Sequence, residues 1–270
     1  MFRPIPKRAV FSPACLSLFL APLVFRRAAL ANRFLPGALA VVALFALGSG
    51  SVSASNTFTG TGTTNLLSNA ANWSDGVAPT GGSQNGVTLD FNVTTGTQTS
   101  LNDDLSGNPL AFIFDSGSRA LTFTTIGANQ FVGVGNVFTN NSSNLQTISA
   151  GIQLFGSTSD LNAASGALSF NAIAVRNDLS SNVNIVLDGA SNGTVNGAIT
   201  KGTGNSSLTK QGAGTWTLKG INTYTGATAV NGGVLNLART TSLVIVGSSN
   251  VSVSSGATLQ ITDHAGGGQQ

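Results

Sequence analysis

Between Gly204 and Leu237 the chain reads GNSSLTKQGAGTWTLKGINTYTGATAVNGGVLNL, with apolar residues alternating with Thr, Lys and Asn. Alternation with a period of two sends one face of a strand into a core and the other into water. No part of the stretch places apolar residues at helical spacing. Gly or Asn-Gly closes each short run and supplies the backbone freedom that tight corners need. Short, half-buried strands joined by corners leave few folds open.

The same pattern recurs outside this stretch. Ala120-Leu121-Thr122-Phe123, Ala167-Leu168-Ser169-Phe170, Trp216-Thr217-Leu218, Leu235-Asn236-Leu237 and Leu259-Gln260-Ile261 each follow a nearby glycine. Their leading apolar residues sit at 121, 168, 216, 235 and 259, so the steps between them are 47, 48, 19 and 24. A period between 19 and 24 fits, with two units in each long gap. Repeats of that length mark solenoids or propellers. Strands, Gly/Asn corners and no helix predict an all-β parallel β-helix. Roughly ten rungs at the interstrand spacing would make a stack about 50 Å long. Corner Asn residues are expected to form ladders between rungs. A propeller needs about 40 residues per blade, which the two shorter spacings contradict.

The formal net charge of +3 misleads. Six of the twelve basic residues lie before residue 34, and no acid does. The apolar run Ala38 to Leu47 and then Val52-Ser53-Ala54 follow. This arrangement predicts a secretory signal over residues 1–54, with a long basic n-region and cleavage after Ala54. Ten apolar residues are too few for a membrane span of about 20, so an uncleaved anchor is the second choice. The only cysteine, Cys15, lies within the leader. The chain from Ser55 onward carries six basic groups and nine Asp, a balance of −3, with no Glu. That balance lacks the basic face a nucleic-acid partner requires. Without cysteine, stability must come from burial and backbone pairing rather than disulfides.

The expected organisation is a leader at 1–54, an N-terminal cap and first rungs at 55–100, a solenoid at 101–262 and a flexible tail at 263–270. The turn-rich NAANWSDGVAPTGG, within Asn56 to Asp90, is read as the cap that covers the first rung.

The pieces LTKQGAGTWTLKG (Leu208 to Gly220), INTYTGATAV (Ile221 to Val230) and NGGVLNL (Asn231 to Leu237) together resemble the autotransporter-associated β-strand repeat of bacterial surface and secreted proteins. The resemblance spans 204–237. It implies export across a Gram-negative envelope, a passenger-like β-helix, and a surface, secreted or adhesive role. It brings no catalytic residue with it. An autotransporter also ends in a membrane β-barrel of alternating strands, for which the residues to Gln270 leave no room. The chain is therefore expected to be a piece of a longer protein, with an open last rung through which it self-associates.

The residues that could carry chemistry are few. Asp103-Asp104 is the sole adjacent acid pair and could act as acid and base or hold calcium, but its LNDDLSGNP setting reads as a loop. Asp178 and Asp188 lie half a rung apart and are expected on different sides. His264 is the single histidine and falls in the expected tail, so no Ser-His-Asp or Cys-His arrangement is built around it. No metal-ligand spacing and no cofactor motif occurs. Lys201, Lys210 and Lys219 fall at intervals of nine and are read as three solvated loop positions. Trp216 and Tyr224 are read as filling the coil, although Trp216 is bulkier than the residue usual in the repeat it resembles.

Three functions compete. A non-catalytic structural or interaction module, with cell-surface or glycan partners, ranks first. A polysaccharide-acting β-helix enzyme would need convergent acids, with Asp103 the one to test. A carbohydrate-binding module would use Trp73 or Trp216 as a stacking platform.

Overall fold

A computed structural model describes residues 57–79, 86–95, 98–105, 109, 111–125, 132–176, 182–239 and 247–263. The expected leader with Cys15, together with Asp178 and His264, lies outside these residues.

The alternating sequence produces three parallel sheets. The first begins with β1 (Thr57–Phe58), β2 (Thr88–Phe91), β4 (Ala111–Phe114), β7 (Val137–Asn140) and β10 (Thr158–Asn162). It continues through β13 (Val183–Asp188), β16 (Ser206–Lys210), β18 (Thr228–Val230) and β20 (Val251–Val253). The second begins with β3 (Ser100–Asp103), β5 (Leu121–Thr125), β8 (Gln146–Ile148) and β11 (Leu168–Phe170). It is completed by β14 (Gly193–Val195), β17 (Thr215–Leu218), β19 (Val234–Arg239) and β21 (Thr258–Asp263). A shorter third sheet holds β6 (Val132–Val134), β9 (Ile152–Leu154), β12 (Ile173–Val175) and β15 (Ile199–Thr200). Each strand pairs with the strand one turn earlier or later, so the chain winds as a parallel β-solenoid. The longest sheet stacks nine strands, which at the interstrand spacing is about 40 Å. A 3₁₀ turn, Ala70–Asn72, interrupts the β structure near its start.

Register makes the repeat visible. One inward column of the second sheet runs Leu121, Gln146, Leu168, Gly193, Trp216, Leu235, Leu259. All five apolar positions expected to lead a unit lie in it, and Gln146 and Gly193 fill the two long gaps. The inward column of the first sheet runs Leu89, Phe112, Phe138, Leu161, Leu187, Lys210, Val230, Val253. Its steps run from 20 to 26, slightly wider than the expected 19 to 24.

Aromatic rings form a continuous spine inside the coil. Phe91 and Phe112 stack at 5.7 Å, Phe112 and Phe138 at 5.2 Å, and Phe138 meets Phe170 edge-on at 5.2 Å. Phe170 then stacks on Trp216 at 6.2 Å with planes 9° apart. Such pairs contribute about 0.5–1.5 kcal/mol each beyond area burial.

The two ends of the stack differ. At the N-terminal end, Trp73 packs edge-on against Phe58 at 5.3 Å, and its backbone forms an isolated antiparallel bridge with Phe58. Thr59 N–H donates to Asn72 O at 2.7 Å and Ser74 N–H to Thr57 O at 2.9 Å, so the outer edge of β1 is paired. The outer edge of β3 is paired too, through Leu67 N–H to Asn102 O (3.1 Å) and Asn102 N–H to Asn65 O (2.8 Å). At the other end β20 pairs only with β18 and β21 only with β19 among the described residues. Inward residues are exposed there, Val253 at 46% and Ile261 at 59%.

Asn residues at corners and within strands connect rungs through backbone N–H groups and hydroxyls rather than to one another: Asn192 Oδ1 accepts from Thr215 N–H at 3.1 Å and Asn205 Oδ1 from Thr225 Oγ1 at 3.0 Å. Asn184 Oδ1 accepts from Ser207 Oγ at 3.0 Å and from Thr209 Oγ1 at 3.1 Å, and Asn196 Nδ2 donates to Ser169 Oγ at 3.2 Å.

Candidate functional site

Asp103 and Asp104 both serve the backbone. Asp103 is buried at the end of β3 and accepts from Leu105 N–H at 3.2 Å. Asp104 accepts from Ser68 N–H at 2.9 Å and from the Ser68 hydroxyl, fastening the N-terminal segment to the second rung. Alternation along the strand sends the two carboxylates to opposite sides, so they do not form an acid–base pair. Among the described residues no group of three or more His, Cys, Asp or Glu is placed to hold a metal.

The lysines behave differently from one another. Lys201 is exposed, and Lys219 Nζ reaches across one rung to Asn196 Oδ1 at 3.1 Å. Lys210 corrects the expectation of a solvated position. It occupies the apolar column of the first sheet and is fully buried. Its Nζ donates to the carbonyls of Gln211, Gly212 (2.9 Å) and Gly232 (3.1 Å), linking one corner to the corresponding corner of the next rung. Burial lowers its pKa, and the Asp188 carboxylate partly opposes that shift. The interior lysine survives because every Nζ proton meets a carbonyl oxygen.

Asp188 sits one position beyond the inward Leu187 and faces out. Its Oδ1 accepts from Gly189 N–H at 2.6 Å, and its Oδ2 accepts from Gln211 Nε2 at 2.9 Å. Sequence spacing offered no notice of Asp160, which lies on the same outer face of β10 between Val137 and Val186 in register. Burial beside those side chains and then the Asp188 charge push its carboxyl up to about 6. Among the described residues, its Oδ1 and the Asn162 Oδ1 have no hydrogen-bond partner. The signal was an outward Asp between two outward Val residues, and it needs the register to be seen.

Both tryptophans are interior. Trp216 is fully buried, its Nε1–H donates to Asp188 O at 2.9 Å, and its ring lies over Gly193 of the rung below. A Cβ on residue 193 would meet the indole at 2.3 Å. Trp73 is buried at the N-terminal end and its Nε1–H donates to Leu67 O at 2.7 Å. Neither ring offers a face to a sugar, which removes the stacking platform considered from the sequence. Tyr224 is also buried, with its hydroxyl 2.8 Å from Thr228 Oγ1, and burial raises its pKa to about 12.

Polar residues of Leu208–Leu237 join successive turns. Lys210 ties two corners, and Asn222 Oδ1 accepts from Ile199 N–H at 2.7 Å one rung below. Tyr224 closes on Thr228, whose hydroxyl lies 2.9 Å from Ser248 Oγ of the next rung. Gly212 and Gly233 turn the corners with φ of 70° and 56°. Residues 208–237 match the passenger-associated-transport-repeat. The resemblance to an autotransporter passenger repeat therefore holds over that segment, which starts at Leu208 rather than at the expected Gly204. Repeat and solenoid together fit a passenger-like module. No curated protein and no solved structure matches the chain.

Proposed function

We propose that the chain is an exported, non-catalytic passenger-like module that acts at or beyond the surface of a Gram-negative cell, in a structural or adhesive role. The observation that supports this reading is the passenger-associated-transport-repeat embedded in the parallel stack, with Lys210, Asn222 and Thr228 spent on joining rungs. The carboxylates of Asp103, Asp104 and Asp188 accept backbone or side-chain donors, which favours architecture over acid–base work. Its partners in this reading are cell-surface or glycan ligands met by corner loops, and the leader at 1–54 directs export.

Expression of the whole chain in a Gram-negative host tests the reading. The expected product begins at Ser55, is absent from the cytoplasmic fraction, and is digested by protease added to intact cells or found in the medium. A cytoplasmic product with Met1 intact overturns export. Release of reducing ends from pectin or related glycans, lost in Asp103→Asn, overturns the non-catalytic assignment in favour of an enzyme.

A further inference from the structure

Four Asn-Gly pairs occur in the chain, and three of them, at 192–193, 196–197 and 231–232, lie wholly within the described residues. A glycine after asparagine leaves the backbone nitrogen open to the side-chain amide, because no Cβ stands in the way. The three pairs differ in what holds them. Asn192 Oδ1 accepts from Thr215 N–H at 3.1 Å, and Gly193 is locked in the ladder between Leu168 and Trp216. Asn196 Nδ2 donates to Ser169 Oγ at 3.2 Å and Phe170 O at 3.3 Å, and its Oδ1 accepts from Lys219 Nζ at 3.1 Å. Gly197 N–H is committed to Asn171 O at 2.5 Å. Asn231, by contrast, is exposed, and among the described residues its side chain has one tie, from Ser254 Oγ to Oδ1 at 3.2 Å. Neither its Nδ2 nor the Gly232 N–H has a hydrogen-bond partner among those residues. The following rung is in place over this corner, so Asn231 is exposed sideways and not at an end of the stack.

We propose that Asn231 is a site of spontaneous deamidation, with the Gly232 amide nitrogen as nucleophile and water as co-reactant. That nitrogen loses its proton to solvent base and bonds to Asn231 Cγ. The Cγ–Nδ2 bond then breaks, and Nδ2 takes up a proton and leaves as ammonia. Water opens the cyclic imide that results. Opening at one carbonyl gives aspartate, and opening at the other gives isoaspartate, whose main chain runs through the former side chain. The Lys210 ammonium, 3.1 Å from the carbonyl oxygen of the same glycine, favours the negative nitrogen that must form. Reaction at Asn192 or Asn196 first requires its rung to open, because ladder and side-chain bonds hold the reacting groups apart. The consequence falls on a corner that joins two rungs. Isoaspartate adds a methylene to the main chain between Asn231 N–H, which donates to Lys210 O at 2.7 Å, and Val234 N–H, which donates to Gly214 O at 3.3 Å. Those two anchors then lose their register with the rung below. Each copy acquires an irreversible mark of its time in solution, whatever the function of the module.

Peptide mapping by mass spectrometry tests this on the purified chain, stored in mildly alkaline buffer, with fragmentation locating each asparagine. Residue 231 is expected to gain the mass that separates an acid from its amide, and to take up heavy oxygen from labelled water. Its peptide should resolve into aspartyl and isoaspartyl forms. Asn192 and Asn196 are expected to react at least about ten-fold more slowly, and the gap should close when the chain is unfolded in guanidinium. The thermal midpoint of the stored protein should fall as isoaspartate accumulates, whereas Asn231→Gln, whose attack needs a larger ring, keeps its midpoint. A residue 231 that stays unchanged in the folded chain while the unfolded chain reacts overturns the proposal. Reaction at Asn192 or Asn196 as fast as at Asn231 in the folded chain overturns it equally.

Discussion

Gly193 and Trp216 divide one volume between two rungs, the glycine leaving the space that the indole occupies. Gly193→Val is expected to cost about 3 kcal/mol or more, because the added carbons meet a ring held on both sides. Urea unfolding followed by circular dichroism measures it, and an unchanged midpoint would refute the shared-volume account. Lys210 poses the opposite problem, a charge inside an apolar column. Lys210→Met keeps the stem but strips three carbonyls of their donor, with an expected loss of about 2–3 kcal/mol in the same experiment. Asp160 imposes a pH dependence. Its folded pKa, raised to about 6, exceeds the unfolded value of 3.8, so folding favours the protonated form. Its penalty is absent below pH 3.8, grows up to pH 6 and is complete above that. Asp160→Asn should leave stability unchanged at pH 3.5 and raise it by about 1–2 kcal/mol at pH 8, after allowing for solvent screening. Equal effects at both pH values would contradict the assignment.

At the scale of the element, alternation and glycine placement made the strands legible, and register explains what stayed hidden. Leu121, Leu168, Trp216, Leu235 and Leu259 announced their rungs because each puts a large apolar side chain at the same inward position. Two rungs were silent because that position holds Gln146 or Gly193, and neither residue signals a core. Gln146 is nevertheless fully buried. Its Oε1 accepts from Leu121 N–H at 2.9 Å, and its Nε2 donates to Arg119 O and Ser142 Oγ, each at 3.0 Å. Gln146→Leu would restore the apolar pattern yet remove all three of those hydrogen bonds. A loss of about 1–3 kcal/mol is expected, and a gain in thermal midpoint would show that packing outweighs the network. Lys210 departs from its solvated reading for a related reason. Spacing along the chain shows which face a residue takes only once the strand is placed, and the carbonyls that admit a buried lysine come from two different corners.

For the whole molecule, a rung packs chiefly on its immediate neighbours, with the Phe170–Trp216 stack reaching over the Gly193 rung, so stability is close to a sum of local terms along the stack. The rungs next to Trp73 and the rungs around Trp216 should therefore not unfold together. Trp73→Phe leaves a probe of the later rungs and Trp216→Phe a probe of the first. The fluorescence of Trp216 is expected to change at lower urea than that of Trp73. Coincident midpoints would instead make the stack a single cooperative unit. The solenoid itself was readable from periodicity, whereas the paired edges at its start were not. They depend on residues 65–67 and 72–74 meeting strands that are distant in sequence.

The pairing of Gly193 with Trp216 also bears on how such a stack can change over generations. Trp216 lies inside the matched segment and Gly193 outside it, so the repeat depends on a neighbour it does not contain. A cassette of residues 208–237 grafted onto a rung with Leu in place of Gly193 would drive the indole into that side chain. Duplication or exchange of this unit is thus constrained to hosts with a glycine below, or must be followed by a smaller residue at 216. Recombination would preserve pairs of turns, and the inherited module is larger than the repeat that marks it.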